Sequence, residues 1–236
     1  MLAIFKREIR SYFLSPVAYV FIGAFFILAG MFFMTGNILS GYPNINGTLS
    51  TMQLVLTFIT PILTMKLLAD ERKTRTDQLL LTSPVSLTGI VMGKFLAALF
   101  VFFVTVLISL IYVVILFIFG SPSVAELINN YLGFFLVGMS FIAISIFASS
   151  VTDSQIIAAI VGFASILSLW IIDWVGGAFS NRIISDIVGW LSIMKRSEDF
   201  ANGILKPASI LYYISFSAVF IFLTIRVIDK RRWSEG

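Results

Sequence analysis

The sequence contains no cysteine and no histidine. Without cysteine there is no disulfide, no thiolate metal site and no thiol nucleophile. Without histidine the commonest general base and the commonest metal ligand are missing. Charge is scarce too. Asp, Glu, Lys and Arg make up 12% of the 236 residues, about half of what soluble domains carry. Residues 11–65 and 95–125 hold no charged side chain at all. What fills the space is apolar: 59% hydrophobic residues, 24 of the total being Phe, and a mean hydropathy of +1.02. The chain reads as a single membrane domain. Its net charge of +4 would suit a nucleic-acid binder, but the basic residues flank apolar runs, where membrane orientation explains them. The first apolar run is too long for a signal peptide and lacks a small-residue cleavage site.

The absences extend to chemistry inside the bilayer. No apolar run carries an ionisable residue near its middle. Ion-coupled carriers need such groups, so a secondary transporter is disfavoured. Lys66 and Arg226 lie near span ends, where long side chains snorkel to water. An intramembrane protease would need an Asp pair or a Ser–Lys pair here, and Asp153 and Asp173 bracket one span from opposite sides. The stretch Gly89-Ile-Val-Met-Gly93-Lys94-Phe95 is one residue short of a phosphate-binding loop and has Phe where Ser or Thr holds magnesium. The sequon Asn46-Gly47-Thr48 is a single chance-level match.

Spanning ~30 Å of hydrocarbon takes ~20 apolar residues. Six segments qualify, at about 17–35, 52–68, 95–119, 127–150, 155–172 and 207–228, predicting an all-α polytopic protein. Twelve of the sixteen Lys and Arg residues fall on one side when the N-terminus, the segment before the third span and the C-terminus are assigned to the cytoplasm. Arg182, Lys195, Arg196 and Lys206 remain outside. Both termini are therefore expected in the cytoplasm.

Residues 2–14 predict an amphipathic helix in the inner interface. Leu2, Phe5, Ile9, Tyr12 and Phe13 form its apolar stripe, with Lys6, Arg7 and Arg10 off it. Ser15-Pro16 then turns the chain into the bilayer. Pro61 is expected to kink the second span.

Residues 70–94 form the one long charged segment inside this apolar chain. A polar element between two membrane spans is expected in water, presented as something to be held. Thr74-x-x-Asp77 before Leu79, Leu80 and Leu81 resembles a capping box opening a short helix, which Pro84 ends. Ser86 caps the helix that runs through Lys94 into the third span. The competing reading is a solvated loop. Asp153, in the short turn between spans four and five, is a second, smaller contact or simply a turn. Outside, residues 173–206 place Phe179, Ile183, Ile187, Trp190 and Leu191 on one helical face, read equally as a lid or an exit gate. Ser197-Glu198-Asp199 is expected to open a short helical turn closed by Gly203, and Pro207 to begin the last span.

In this order the motifs resemble the ABC-2 family of ABC-exporter permeases, especially its small six-span, gliding-motility-type members. The resemblance rests on Lys6-Arg7-Glu8 with residues 12–18 (YFLSPVA), Thr60-Pro61, and Glu71-Arg72-Lys73-Thr74. It continues through residues 79–86 (LLLTSPVS), Gly93-Lys94, Asp199-Phe200-Ala201-Asn202-Gly203 and Arg231-Arg232-Trp233. The family commonly has Gly-Thr where this chain has Arg75-Thr76, and an apolar residue in place of Asp77. The resemblance implies a cytoplasmic ATPase subunit docked on Glu71, Arg72, Arg75, Thr76, Leu79, Leu80 and Leu81, with Asp153 as a secondary contact. It also implies a second permease chain, identical or related, and in some relatives an auxiliary membrane subunit. ATP and magnesium would sit in the partner, leaving this chain with no cofactor and no catalytic residue, in a prokaryotic cell membrane. The alternative is a non-transporting subunit that anchors a partner through the same loop.

The absence of cysteine makes the topology directly testable. Single substitutions Ser180→Cys and Ser234→Cys should label oppositely with an impermeant thiol reagent added to intact cells, Ser180→Cys reacting and Ser234→Cys not. Labelling of Ser234→Cys overturns the assignment.

Overall fold

Each of the six predicted spans is a helix in the computed structural model, which describes residues 1–41, 44–74, 86–178 and 192–234. Helix α1 (Leu2–Leu14) is set off from α2 (Pro16–Phe33) by one extended residue, Ser15. Pro16 opens α2 where its missing N–H costs nothing. The first span then continues through a π turn, Met34–Ile38. Helix α3 (Asn46–Thr64) leads to α4 (Lys66–Lys73), followed after residues 75–85 by α5 (Leu87–Phe119). Helices α6 (Val124–Val151), α7 (Gln155–Ala178), α8 (Ile193–Ala201) and α9 (Pro207–Ser234) complete the chain. By length and apolarity the spans are Pro16–Ile38, Asn46–Lys73, Leu87–Phe119, Val124–Val151, Gln155–Trp174 and Pro207–Lys230. The helices overrun the expected boundaries because capping and tertiary contacts, not hydropathy, end them.

Helix α6 is the axis of the bundle. Of its most apolar stretch 78% is buried, against 61% for the second span and 17–33% for the other four. It packs on α3, α4, α5, α7, α8 and α9. Small residues make that possible, because lipid tails are as apolar as Leu and only close approach favours helix over lipid. A Cβ added at Gly138 would run into the ring of Phe102, and one at Gly133 would lie 2.6 Å from Phe200. Phe25, Phe102 and Phe134 pack as tilted pairs in the same layer, at 5.8–6.0 Å between centroids.

Helix α3 handles its polar residues differently. The hydroxyls of Thr57, Thr60 and Thr64 donate to the carbonyls of Gln53, Leu56 and Thr60, each four residues back. The side chains are buried yet need no partner beyond their own helix. Thr57 also accepts from Trp170 Nε1 of α7 at 3.0 Å.

Pro61 sits inside α3, but the helix breaks four residues later, at Met65. The cause is Ser149 of α6. Its hydroxyl donates to the Met65 carbonyl at 3.0 Å and accepts from the backbone N–H groups of Leu68 and Ala69 at 3.3 and 3.1 Å. A side chain inserted into the helical ladder in this way turns the chain without orphaning its backbone groups.

The predicted cap at Ser86 is present, its hydroxyl accepting from the Gly89 N–H at 3.2 Å. The phosphate-loop-like Gly89-to-Phe95 stretch is ordinary α5 helix. Gly93 is there for packing, since a Cβ would meet Ile4 of α1 at 3.0 Å. The side of α1 packed into the protein is, apart from Tyr12, not the apolar stripe expected to face the interface. Ile4, Glu8 and Tyr12 are buried, while Leu2 is exposed and Phe5, Ile9 and Phe13 lie between. The helix turns one charged residue inward, for the reason given below.

The Gly138 contact predicts a specific cost. Gly138→Leu should lower the free energy of unfolding by about 1–3 kcal/mol, as overpacking does. Gly23→Ala, with nothing within 4 Å of the added methyl, should leave stability unchanged or slightly raised in the same thermal-unfolding assay.

Candidate functional site

Two turns into α5, Lys94 points into the protein with 1% of its side chain exposed. An ammonium has three protons to place, and three acceptors surround it. Its Nζ donates to the Leu67 carbonyl at 2.7 Å and to Glu8 Oε1 at 3.1 Å, and lies 2.8 Å from Glu71 Oε1. Arg7 closes the cluster from the rim, its guanidinium 2.5 Å from Glu8 Oε1 and 2.6 Å from Glu71 Oε1. Two cations thus alternate with two carboxylates, and the cluster is neutral. That balance matters because a lone buried charge costs several kcal/mol in lost hydration.

The members come from three separate elements: Arg7 and Glu8 from α1, Glu71 from α4, Lys94 from α5. Burial pushes the Arg7 guanidinium down, but the Glu8 and Glu71 carboxylates outweigh it and leave it raised. Burial, with Glu8 adding to it, pushes the Tyr12 hydroxyl well up. Tyr12 therefore stays a donor, to the Leu63 carbonyl at 3.0 Å. Beside the cluster lies a cavity of about 250 Å³, whose lining adds Ser11, Lys66 and Asp70.

The opposite side of α4 is held as firmly. Arg72 lies 3.3 Å from Asp153 in the α6–α7 turn and donates to the Val151 carbonyl at 3.1 Å. Asp70 Oδ1 accepts from Gln155 Nε2 at 2.6 Å. With Ser149 at its start, this eight-residue helix is bonded to α1, α5, α6 and α7 at once. It is also the direct continuation of the second span and leads straight into residues 75–85.

A family model described as ABC-2 family transporter protein matches residues 2–225. The chain belongs to the ABC-2 transporter family. Comparison with curated proteins finds no match.

In this ABC-2 transporter the charge cluster gathers part of what the sequence singled out. Glu71 and Arg72 lie on α4, and Arg72 meets Asp153. Arg75, Thr76, Leu79, Leu80 and Leu81, with the helix expected over residues 74–82, lie outside the described residues, as does the outer face built on Phe179 to Leu191. Of the α1 residues, Phe5 packs edge-on against Phe100 of α5, Arg7 turns to the cluster, and Lys6 and Arg10 are exposed. Glu8 and Lys94 are the cluster members whose pairing sequence reasoning missed. Lys94, expected in water with the rest of the 70–94 segment, is buried because two carboxylates and a carbonyl replace its hydration. The available signal was Glu8, the one acidic residue in the run Lys6-Arg7-Glu8-Ile9-Arg10, at helical spacing from Ile4 and Tyr12.

About 24 Å along α6 from Ser149, the other end of the transporter is covered by α8. It begins earlier than expected: Ser192 accepts from the Lys195 N–H at 2.8 Å, whereas Ser197 lies inside the helix and donates to the Met194 carbonyl. Gly203 closes it as predicted, at φ 75°. Phe200 sits on Gly133, Asn129 donates to the Gly203 carbonyl at 2.6 Å, and Tyr213 donates to the Ile193 carbonyl at 2.6 Å. Helix α8 is thereby fastened to α6 and α9.

The cluster's charge balance can be tested by removing it in two steps. Lys94→Met leaves two carboxylates facing Arg7 alone and should cost about 3–5 kcal/mol. Adding Glu8→Gln restores neutrality, so the double variant should be more stable than Lys94→Met in thermal or denaturant unfolding. A double variant no more stable than the single one would show that shape, not charge, is what Lys94 supplies.

Proposed function

We propose that this chain is the transmembrane permease subunit of an ABC exporter, forming the translocation path and driven by a separate ATPase subunit docked on residues 70–94. ATP and magnesium belong to that partner, and this chain carries out no chemistry. The observation that carries the reading is the placement of α4. Residues 75–85 connect it directly to α5, and it is bonded through Glu71, Asp70, Arg72 and the Ser149 hydroxyl to four other helices. A displacement applied at residues 75–85 therefore reaches α1 and the third, fourth and fifth spans together. Glu71 acts from inside this linkage, and Arg75, Thr76, Leu79, Leu80 and Leu81 supply the outward contact.

The path is completed by a second permease chain. Support comes from α7, whose apolar stretch is only 17% buried. On its outward face Ala164 and Ser168 stand one turn apart, the small-xxx-small spacing at which membrane helices approach closely. Both chain ends and α4 lie on the cytoplasmic side, with α1 in the inner interface. Helix α8 covers the outer end of the path.

Two substitutions separate docking from transmission. Leu80→Asp should abolish co-purification of the ATPase, since desolvated contact centres commonly lose ~2 kcal/mol or more on a single change. Glu71→Gln should retain the ATPase but uncouple its hydrolysis from transport. Glu126→Arg, at the outer end of α6, should do neither. Normal recovery of the ATPase with Leu80→Asp would leave the segment a solvated loop and refute the docking assignment.

A further inference from the structure

Helix α1 carries three neighbouring basic residues that are used unequally. Arg7 faces inward and is neutralised by Glu8 and Glu71. Lys6 and Arg10 are exposed and form no ion pair among the described residues. Lys6 lies one turn from Leu2 on the same face, and Arg10 one turn further along.

Leu2 and Phe5 form one wall of an open groove of about 360 Å³ whose other walls are Leu96, Leu99, Phe100 and Phe103 of α5, with Phe135 of α6. Every side chain lining it is apolar. From Leu96 to Phe103 it follows α5 for about 10 Å, starting at the level of α1 and leading toward the middle of the bundle. That volume over that length is wide enough for a hydrocarbon chain and well short of a helix about 10–12 Å across.

We propose that this groove binds an acidic phospholipid of the cytoplasmic leaflet. One acyl chain lies along Leu96 to Phe103, and the headgroup phosphate is held by Lys6 and Arg10. An apolar slot alone would accept any lipid. The two exposed cations of α1, unpaired among the described residues, select an anionic headgroup, since basic groups at a membrane surface attract acidic lipid. Occupancy would bear on the charge cluster, because Arg7 and Glu8 are on the same helix and Lys94 is two residues from Leu96. The inference rests on α1 lying at the membrane surface and is independent of whether an ATPase drives the chain.

The test uses the full-length protein in nanodiscs of phosphatidylcholine doped with phosphatidylglycerol carrying a photoreactive diazirine at the end of one acyl chain. After irradiation, labelled peptides are mapped by mass spectrometry, with a phosphatidylcholine probe of the same tail for comparison. Labelling should concentrate on residues 96–103 and on Phe135, and should exceed that from the phosphatidylcholine probe by about thirtyfold, the order expected of two basic groups at a surface. The double variant Lys6→Ala/Arg10→Ala should erase the difference between the two probes. Leu99→Trp, which fills the slot and leaves both charges in place, should lower labelling by both probes. Elution volume and thermal stability report folding of each variant. Labelling spread evenly over α2, α5, α7 and α9, equal labelling by the two probes, or a co-purifying polypeptide shielding residues 96–103 would each overturn the proposal.

Discussion

The end of this protein where α1, α4 and the start of α5 meet is organised by how one ammonium group is satisfied. Lys94 has left water altogether, so its three protons must find acceptors in the protein, and they find them on α1 and α4. Both helices have other bonds, α1 through Tyr12 and α4 through Ser149, Arg72 and Asp70, but the lysine is where charge joins the two of them to α5. Helix α1 is amphipathic and short, and α4 is eight residues long, too short to be stable alone. The lysine ties both short helices by charge to one point of α5. The same electrostatics forbids them to move independently, because separating any member leaves a buried charge unpaired.

The bundle itself follows a different rule. Around α6 the contacts are made by absence of side chain, at Gly133 and Gly138, so that Phe200 and Phe102 sit where a Cβ would be. Such packing is tight and directional. It joins one end organised by charge to another organised by side-chain hydrogen bonds to backbone carbonyls, Asn129 to Gly203 and Tyr213 to Ile193. A mechanical input at α4 and a response at α8 would share α6 as their common element.

Much of this was legible from residue order alone. Apolar runs of sufficient length can only be helices in lipid, so six spans, the turn at Ser15-Pro16, the cap at Ser86 and the start at Pro207 could be read directly. What could not be read were pairings between distant residues. Glu8 and Lys94 are 86 positions apart, and each has a sufficient local explanation, one as a charge on a surface helix and the other as a flanking basic residue. Likewise Pro61 advertises a kink, but the break falls at Met65, because Ser149 on another helix decides it. The start of α8 was misplaced for a similar reason. Ser192 and Ser197 are equivalent candidates for a cap, and only tertiary packing selects between them.

The threonines of α3 bear on how such a chain is made. Spans enter the bilayer in order, and α3 arrives before α6, against which it is largely buried. Thr57, Thr60 and Thr64 already have their protons bonded to carbonyls of their own helix, so α3 presents no unsatisfied hydroxyl donor to the hydrocarbon while it waits. The charged residues that do need distant partners, Glu8, Glu71 and Lys94, all lie toward one end of the bundle, where lipid headgroups and water remain within reach until the fold closes. The placement of these groups favours an order of assembly: the threonines of α3 are satisfied within their own helix, while the charged members of the cluster depend on one another at the edge.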